Sequence, residues 1–323
     1  MARDRTITTA QMSELREKFG DSVSSGELYA FNPHLLFAAR KGALAKKAHG
    51  VFSLVGDVEK KVKKSKAEIE AERLATAEEI RSRFDALDLL ADAVTSGNIR
   101  SLVVSGAAGV GKSYLLEKKL NEALEDDKLS KVQSIKGTIS PIGLYMTLWE
   151  NNAKGDVVIL DDIDSIYGDE EAMNILKGAL DTNGRRTISW IKDSRFLRDQ
   201  DIPNSFDYEG QIVFLTNVDL QNVSDKGGRM APHMGALMSR AVYLDLGIHS
   251  PEQIMIRIRQ VLETTDMGMD ITKAQTQLIL DWLEANMGNL RAISLRTVMQ
   301  VAGFMKVTKD WQLLARNTLL RTR

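Results

Sequence analysis

Residues 106–113, Gly-Ala-Ala-Gly-Val-Gly-Lys-Ser, are the part of this sequence best suited to chemistry. They fit the pattern G-x-x-x-x-G-K-[ST], in which backbone N–H groups surround phosphates, the lysine reaches the β- and γ-phosphates and the hydroxyl holds Mg²⁺. An apolar strand precedes the run and a helical pattern follows it, so the phosphates would meet a positive helix end. We therefore expect ATP and Mg²⁺ as cofactors. The residues expected to contact the nucleotide are Gly106, Ala107, Ala108, Gly109, Val110, Gly111, Lys112, Ser113 and Tyr114.

Two later apolar stretches end in side chains that would complete such a site. Residues 157–161 end in acids, and a buried strand of this kind delivers its carboxylate to the carboxyl edge of the sheet, beside the phosphate loop. Asp161 is predicted to hold Mg²⁺ together with Ser113, and Asp162 to act as the base or orienter of the attacking water. The next strand is followed by Asn217, whose amide is suited to positioning that water.

Composition limits the class of protein. A chain of 323 residues with a formal net charge of −1 can bury a large core and has no overall field that attracts nucleic acid. Cysteine is absent, which excludes disulfides, thiolate zinc sites and a cysteine nucleophile. No apolar run approaches the ~20 residues of a membrane helix. We expect a soluble protein of the cytoplasm with no membrane partner.

The elements that must position these side chains follow an alternating pattern. Helical stretches alternate with short apolar strands between residues 86 and 246, which is typical of a parallel sheet wrapped by helices. The predicted strands are 102–105, 131–135, 157–161, 212–216 and 241–244, and the predicted helices that follow them are 251–262, 273–285 and 290–306. The sequence therefore predicts a three-layer α/β nucleotide-binding domain at 86–246, a small all-helical domain at 247–323 and a helical N-terminal segment at 1–85.

The N-terminal segment carries a lysine cluster within a stretch, residues 57–90, that lacks proline and glycine and is predicted to be one long helix or two joined ones. The cluster consists of Lys60, Lys61, Lys63, Lys64 and Lys66. It is either the solvated face of that helix or a contact for phosphates or a partner.

The order of these features resembles that of the AAA+ ATPases, and the resemblance covers residues 86–310. Two arginines support it. Ser239-Arg240 is similar to the arginine finger of clamp-loader-like members, and Gly-Asn-Leu-Arg at 288–291 is similar to the Gly-x-x-Arg of sensor 2 in the helical lid. Arg229 and Arg296 are alternates for these two roles. The resemblance implies a P-loop NTPase of AAA+ type with a helical lid, and a homo-oligomer, hexameric ring or spiral, in which Arg240 acts on the nucleotide of a neighbouring subunit. The catalytic residues it implies are Lys112, Asp161, Asp162, Asn217, Arg240 and Arg291.

The sequence is also similar to AAA+ ATPases encoded by tailed bacteriophages, in segments that include residues 136–145 and 202–206. That resemblance would locate the chain in the cytoplasm of a host cell. One departure concerns Asp162, because most AAA+ members have glutamate there. Aspartate is one methylene shorter, so we predict slow hydrolysis.

Two segments bear on the target of the ATPase. Residues 136–142 follow a strand at the place where protein unfoldases of this type present an aromatic residue, and Ile139 is the only large apolar candidate there. Residues 184–190 and 206–210 are predicted to form the arms of an inserted hairpin, and the basic stretch from Arg185 to Arg198 is a candidate contact for nucleic acid. Trp190 and Phe196 would either stack on bases or pack the hairpin onto the sheet.

These features lead to a hypothesis of an oligomeric ATPase that remodels nucleic acid or a nucleoprotein complex. A chaperone-like remodeller of protein partners is the first alternative, favoured if turnover responds to protein and not to DNA. A scaffold that assembles on ATP and hydrolyses it slowly is the second, motivated by Asp162. A small-molecule kinase shares the phosphate loop, but the helical lid with its Gly-x-x-Arg favours an AAA+ protein.

Overall fold

The computed structural model describes residues 7, 9–40, 44, 46–48, 51–54, 66–181, 184–265 and 267–321. The chain divides into two compact units at residue 70. Lys60, Lys61, Lys63 and Lys64 of the lysine cluster lie outside the described residues, and Lys66 is the first residue of a helix.

In its described residues, the first unit combines helices with a small antiparallel sheet of order β1-β3-β2. Its elements are α1 (Thr9–Phe19), β1 (Ser22–Ser24), α2 (Ser25–Phe31), α3 (Pro33–Ala38), β2 (Lys46–Ala48) and β3 (Val51–Ser53). Leu15, Leu28 and Leu54 are fully buried in its core. The sequence predicted only helices here, because strands of three residues are too short to show an alternating pattern.

The second unit contains a five-stranded parallel sheet of order β10-β4-β9-β6-β5. Its strands are β4 (Ser101–Ser105), β5 (Lys131–Lys136), β6 (Asp156–Asp161), β9 (Gln211–Thr216) and β10 (Val242–Asp245). All five match the predicted strands to within a residue. The parallel register places Ser105 beside Thr216, and Asp161 between Leu215 and Lys136, so the candidate residues share the carboxyl edge of the sheet.

Helices cover both faces of this sheet, as a parallel sheet requires. These helices are α4 (Lys66–Thr95), α5 (Lys112–Glu125), α6 (Pro141–Glu150), α7 (Glu170–Leu180), α9 (Leu220–Lys226) and α10 (Ala231–Arg240). Val103, Val158 and Phe214 pack in the core on one face, and Val104 and Val213 pack in the core on the other. Both faces of the three central strands, β4, β9 and β6, are therefore buried, which explains why these strands are largely apolar runs in the sequence.

A hairpin is inserted between α7 and β9, as the sequence predicted. Its arms are β7 (Thr187–Ser189) and β8 (Ser205–Asp207), which pair antiparallel. A short helix, α8 (Arg195–Asp199), lies in the connection between them.

The C-terminal part of the second unit is a helical lid, also as predicted. It consists of α11 (Pro251–Thr264), α12 (Lys273–Asn286), α13 (Leu295–Val307) and α14 (Trp311–Leu319). The sequence did not predict α14, which packs Trp311 edge-on against Trp282 with ring centroids 6.1 Å apart. Ser250 and Thr272 begin their helices with capping boxes, in which hydroxyl and glutamine side chains satisfy the free amides of the first turn.

The long helix α4 contacts both the sheet and the lid. Phe84 and Leu87 are buried against the sheet, and the Arg257 guanidinium of the lid lies 3.4 Å from the centroid of the Phe84 ring. Gln260 of the lid donates to the Ala77 carbonyl at 2.7 Å. Among the described residues, no helix is both long enough and apolar enough to cross a membrane.

Candidate nucleotide site

The loop of residues 106–111 leaves β4 and enters α5 with its amides turned toward open space. Gly106, Gly109 and Gly111 have φ values of 158°, 70° and 99°, conformations that side chains rarely adopt. Within the described residues, no hydrogen bond engages the N–H groups of residues 108–113. This row of unpaired donors at a helix N-terminus is suited to phosphate oxygens.

The Lys112 side chain folds back over the loop and is almost fully buried. Its ammonium donates to the Gly106 carbonyl at 3.2 Å and to Oδ1 of Asn217. Burial lowers the pKa of Lys112 below its ordinary value, and the charges of Asp162 and Asp161 oppose this shift. The ammonium is thus held between the loop and the acidic strand ends. A polyphosphate bound there would supply negative charge to pair with the ammonium.

Ser113 and Asp161 meet across the gap between α5 and β6. The Ser113 hydroxyl donates to Oδ1 of Asp161 at 2.9 Å, and Asp161 is buried at the strand end. A hydroxyl and a carboxylate this close are hard oxygen donors of the kind that Mg²⁺ takes while it keeps several waters. The residues present therefore fit the metal that the sequence predicts.

Asp162 follows directly in a left-handed backbone conformation, with φ of 54°. Its amide donates to the Leu215 carbonyl at 3.1 Å, and its Oδ1 accepts a hydrogen bond from Nδ2 of Asn217 at 2.6 Å. Asn217 thus connects Lys112 to Asp162 through the two ends of one amide. Asp164 is engaged elsewhere, because it accepts from the Thr216 hydroxyl at 3.0 Å.

A residue that the sequence analysis did not single out joins this group. Lys136 ends β5, and its ammonium lies 3.3 Å from Oδ2 of Asp161 and 2.9 Å from Oε1 of Glu117. The pairing with Glu117 is the main cause that raises the pKa of Lys136. The position of Lys136 could have been predicted, because a charged residue directly after a predicted parallel strand must lie at the same edge of the sheet as the other strand ends.

The lid closes against the phosphate loop through the start of α13. The Leu295 amide donates to the Gly109 carbonyl at 2.8 Å, and Ser294 lies so close that a Cβ on Gly109 would be 2.6 Å from the Ser294 Cβ. Arg296 follows in the first turn of α13, and its charge acts on Lys112. From the sequence, Arg296 was only an alternate for the roles expected of Arg240 and Arg291.

The predicted arginines lie in different surroundings. Arg291 donates from Nε to the Leu320 carbonyl at 3.0 Å, which ties the end of segment 288–291 to the residue after α14. Arg240 is the last residue of α10 and is half-buried, with Nη1 donating to the Ala236 carbonyl at 3.3 Å. No carboxylate among the described residues pairs with Arg240. The roles of both arginines at a nucleotide stay predictions.

Tyr114 was expected to contact the nucleotide as well. Its side chain, in the first turn of α5, is 72% exposed. Its contact with the nucleotide stays a prediction.

The inserted hairpin is basic in sequence, but its charges are paired in the structure. Arg185 forms a two-pronged ion pair with Asp207. Arg186 is buried, donating to the carbonyls of Ala179 at 2.7 Å and of Gly210, with its guanidinium 4.7 Å from the Tyr208 ring centroid. Burial lowers the pKa of Arg186 to about 10. This arginine holds the hairpin onto α7 and cannot reach a ligand.

The three remaining basic residues of the stretch also have acidic partners. Lys192 pairs with Glu171, Arg198 pairs with Asp193, and Arg195 lies 3.6 Å from Asp199. Their charges therefore leave a weaker positive field than the sequence suggested.

The two aromatic residues of the insertion differ from each other. Trp190 packs on Tyr145 of α6 with ring centroids 5.9 Å apart, so it fixes the hairpin to the domain. Phe196 is 52% exposed and Ile191 is 81% exposed. The insertion thus presents apolar side chains among paired charges.

Comparisons with known proteins identify a relative. The chain is 41% identical over 239 residues to the "Uncharacterized 36.7 kDa protein in nrdC-mobD intergenic region" of Enterobacteria phage T4, and the match covers 73% of each chain. No model of a known protein family matches the chain.

Solved structures match the chain at low identity. AMPPCP-bound DnaA from Aquifex aeolicus matches 74% of this chain with 14% identity and a TM-score of 0.42, and the Aeropyrum pernix ORC1 protein in complex with DNA matches 75% with 14% identity and a TM-score of 0.40. The chain spans 64% and 62% of those two proteins. NtrX from Brucella abortus in complex with ATP matches 97% of this chain and 72% of its own, with 12% identity and a TM-score of 0.46.

The phage relative is 41% identical to this chain over nearly three quarters of both chains. The chain of 323 residues belongs to the family of this phage T4 protein, and it combines a parallel sheet, a glycine-rich loop and a helical C-terminal part.

Proposed function

We propose that this protein is a Mg²⁺-dependent ATPase that works as an oligomer. The observation that carries the proposal is the set of contacts made by Asn217. The Asn217 amide joins Lys112, which is suited to binding phosphate, to Asp162, which is suited to orienting water. Both residues lie beside the Ser113–Asp161 pair. A phosphate group and an attacking water would thus be held by neighbouring groups at one edge of the sheet.

The residues of this chain have separate tasks in this proposal. The amides of residues 108–113 and the Lys112 ammonium bind the phosphates. Ser113 and Asp161 would hold Mg²⁺, which would supply positive charge to neutralise the charge that develops on the phosphate. Asp162 accepts the proton of the attacking water or orients it, and Asn217 keeps the Asp162 carboxylate in place. Because Arg296 acts on Lys112 and Arg291 is engaged with Leu320, we propose Arg296 as the lid arginine that senses the γ-phosphate.

The proposal that the protein works as an oligomer rests on Arg240. It ends α10 with no acidic partner among the described residues, and the resemblance to AAA+ proteins assigns it to the nucleotide of a neighbouring subunit. An arginine that stabilises transition-state charge from a second subunit makes turnover depend on assembly. The ring size, hexamer or other, stays a prediction.

For the target, the charge pairing in the insertion favours the first alternative named in the sequence analysis, a remodeller of protein partners. Ion pairs neutralise the basic side chains that were candidates for phosphate contact, whereas Ile191 and Phe196 remain exposed. Binding of a nucleic-acid backbone needs free cations, while an unfolded polypeptide offers apolar groups. Ile139 is half-buried against the core, so Ile191 and Phe196 are the better candidates for contact with a polypeptide.

The test is ATP hydrolysis by the purified protein alone, with single-stranded DNA, with duplex DNA and with a chemically unfolded protein. We expect Mg²⁺-dependent turnover that Lys112→Ala abolishes and that unfolded protein stimulates. Ile191→Ser with Phe196→Ser should remove that stimulation, whereas Leu89→Ser, at an exposed leucine of α4, should not. Stimulation by DNA would restore the nucleic-acid hypothesis, and ATP binding without turnover would support the scaffold.

A further inference from the structure

In the described part of the chain, Lys136 is the one basic residue whose side chain forms an ion pair, within 4 Å, with the predicted metal ligand Asp161. The carboxylate of Asp161 is divided between two donors, with Oδ1 accepting from the Ser113 hydroxyl and Oδ2 facing the Lys136 ammonium at 3.3 Å. Asp161 is nearly inaccessible to water, with 7% of its side chain exposed, while the Lys136 side chain is 55% exposed. A buried carboxylate with one ammonium partner has its charge balanced by that ammonium.

A second carboxylate gives the ammonium an alternative position. Glu117 lies one turn after Ser113 on α5, and both of its oxygens are engaged: Oε1 accepts from the Ser134 hydroxyl at 2.6 Å, and Oε2 accepts from Lys136 at 3.1 Å. Glu117 is thus fixed in place by the strand that carries Lys136. If Asp161 is taken by another cation, the ammonium can stay on Glu117 without becoming unpaired.

We propose that Lys136 is a positioning residue for Asp161, one that balances its charge before Mg²⁺ binds and competes electrostatically with the metal for it. This inference rests on the proposed function, because it assumes that Asp161 serves Mg²⁺. Two cations near one carboxylate repel each other, and inside a protein this repulsion is much stronger than in water. The free Mg²⁺ concentration at which the protein binds nucleotide tightly is therefore set partly by Lys136.

The same residue connects the metal site to the loop that follows β5. Gly137 comes directly after Lys136 with φ of 98°, and residues 137–140 are outside helices and strands, with the Thr138 side chain exposed. Lys136 directly precedes this loop, so a shift of its ammonium from Asp161 toward Glu117 would occur next to the loop. Mg²⁺ binding should therefore change the surroundings of Thr138.

The first experiment measures binding of a fluorescent ATP analogue while free Mg²⁺ is titrated. In Lys136→Met, we expect the Mg²⁺ concentration at half-maximal effect to fall roughly tenfold, because a positive charge near the metal is lost. Lys136→Arg keeps the charge and should stay close to wild type. Lys131→Met is the matched control, since Lys131 begins the same strand and donates to the Glu150 carbonyl at 3.1 Å.

The second experiment uses the absence of cysteine from the chain. Thr138→Cys accepts a single fluorescent label, whose emission we expect to change on addition of Mg²⁺ and nucleotide. The change should disappear in the Lys136→Met background and persist in the Lys131→Met background.

The outcomes separate this inference from the proposed function. If wild type fails to bind the analogue at any Mg²⁺ concentration, the proposed function itself is wrong. If wild type binds but Lys136→Met needs the same or more Mg²⁺, Lys136 does not compete with the metal and the inference is overturned. An unchanged label response in Lys136→Met would overturn the link to the loop.

Discussion

At the scale of single residues, backbone conformation helps to explain the unusual aspartate after the metal ligand. Asp162 has φ of 54°, in the left-handed region that aspartate and asparagine enter more easily than other side chains. Glutamate, which most AAA+ members have here, lacks the short side chain that makes this conformation tolerable. The carboxylate is instead held by Asn217 at 2.6 Å. The shorter side chain is therefore compatible with the backbone conformation. Slow hydrolysis stays a prediction.

Asp162→Asn tests the role of this carboxylate. Asparagine also tolerates the left-handed conformation, so the fold should be kept, but it cannot accept a proton. We expect turnover to fall by roughly 100-fold or more, with nucleotide binding within a factor of about three of wild type. Steady-state hydrolysis and equilibrium binding of ATP would be measured side by side. Full turnover in this variant would mean that another group serves the water.

Arg186→Ala tests whether the buried arginine is structural. Its removal leaves the carbonyls of Ala179 and Gly210 without their donor and opens a cavity beside Tyr208. We expect the free energy of unfolding to fall by about 3 kcal/mol, measured by urea denaturation. Arg195→Ala is the control, because 89% of that side chain is exposed and a change of at most ~0.5 kcal/mol is expected. Equal, small effects would contradict the structural role.

At the scale of elements, the site depends on how the lid meets the phosphate loop. The Leu295 amide donates to Gly109, and Ser294, the N-cap of α13, lies against the same glycine. The loop therefore has one face for phosphates and another for the lid. A shift of α13 would move Arg296 relative to Lys112, which links lid position to the charge around the nucleotide.

Gly109→Ala should disturb this contact. A Cβ would approach the Ser294 Cβ to 2.6 Å, and φ of 70° is unfavourable for alanine. We expect nucleotide affinity to fall by roughly tenfold or more, as ~1–2 kcal/mol of backbone strain is added to the clash. The double variant Gly109→Ala with Ser294→Gly removes the clash and keeps the strain, so it should recover part of the affinity. No recovery by calorimetry would show that strain alone explains the loss.

At the scale of the whole molecule, the proposal requires a second copy of the chain to complete the active site. Lys112→Ala removes the phosphate-binding residue but keeps Arg240, and Arg240→Ala does the opposite. Each variant alone should be inactive, whereas a mixture contains interfaces that join an intact nucleotide site to an intact arginine. We expect the turnover of the mixture to exceed the sum of the two variants by several-fold. Additive turnover would mean that Arg240 does not act between subunits.

The sequence by itself determined the elements and their order. Residues 106–113 are contiguous, so their loop depends on local glycine conformations, and the three central strands are buried apolar runs that the sequence shows directly. Asp161 ends one such strand and Asn217 directly follows another, and parallel strands must bring their carboxyl ends to one edge. The predicted sheet, lid and inserted hairpin are confirmed for these reasons. The three-residue strands of the first unit and the helix α14 were too short or too weakly patterned to be predicted.

Only the tertiary structure decided which charges face each other. Lys136, Asp161 and Glu117 come from three elements, and their contact depends on register and helix orientation, which no local pattern specifies. Arg185 and Arg186 are adjacent in sequence, yet one pairs with Asp207 at the surface and the other is buried under the hairpin. A basic residue can be recognised from sequence, but whether its charge is free depends on the partners that folding brings within a few ångströms.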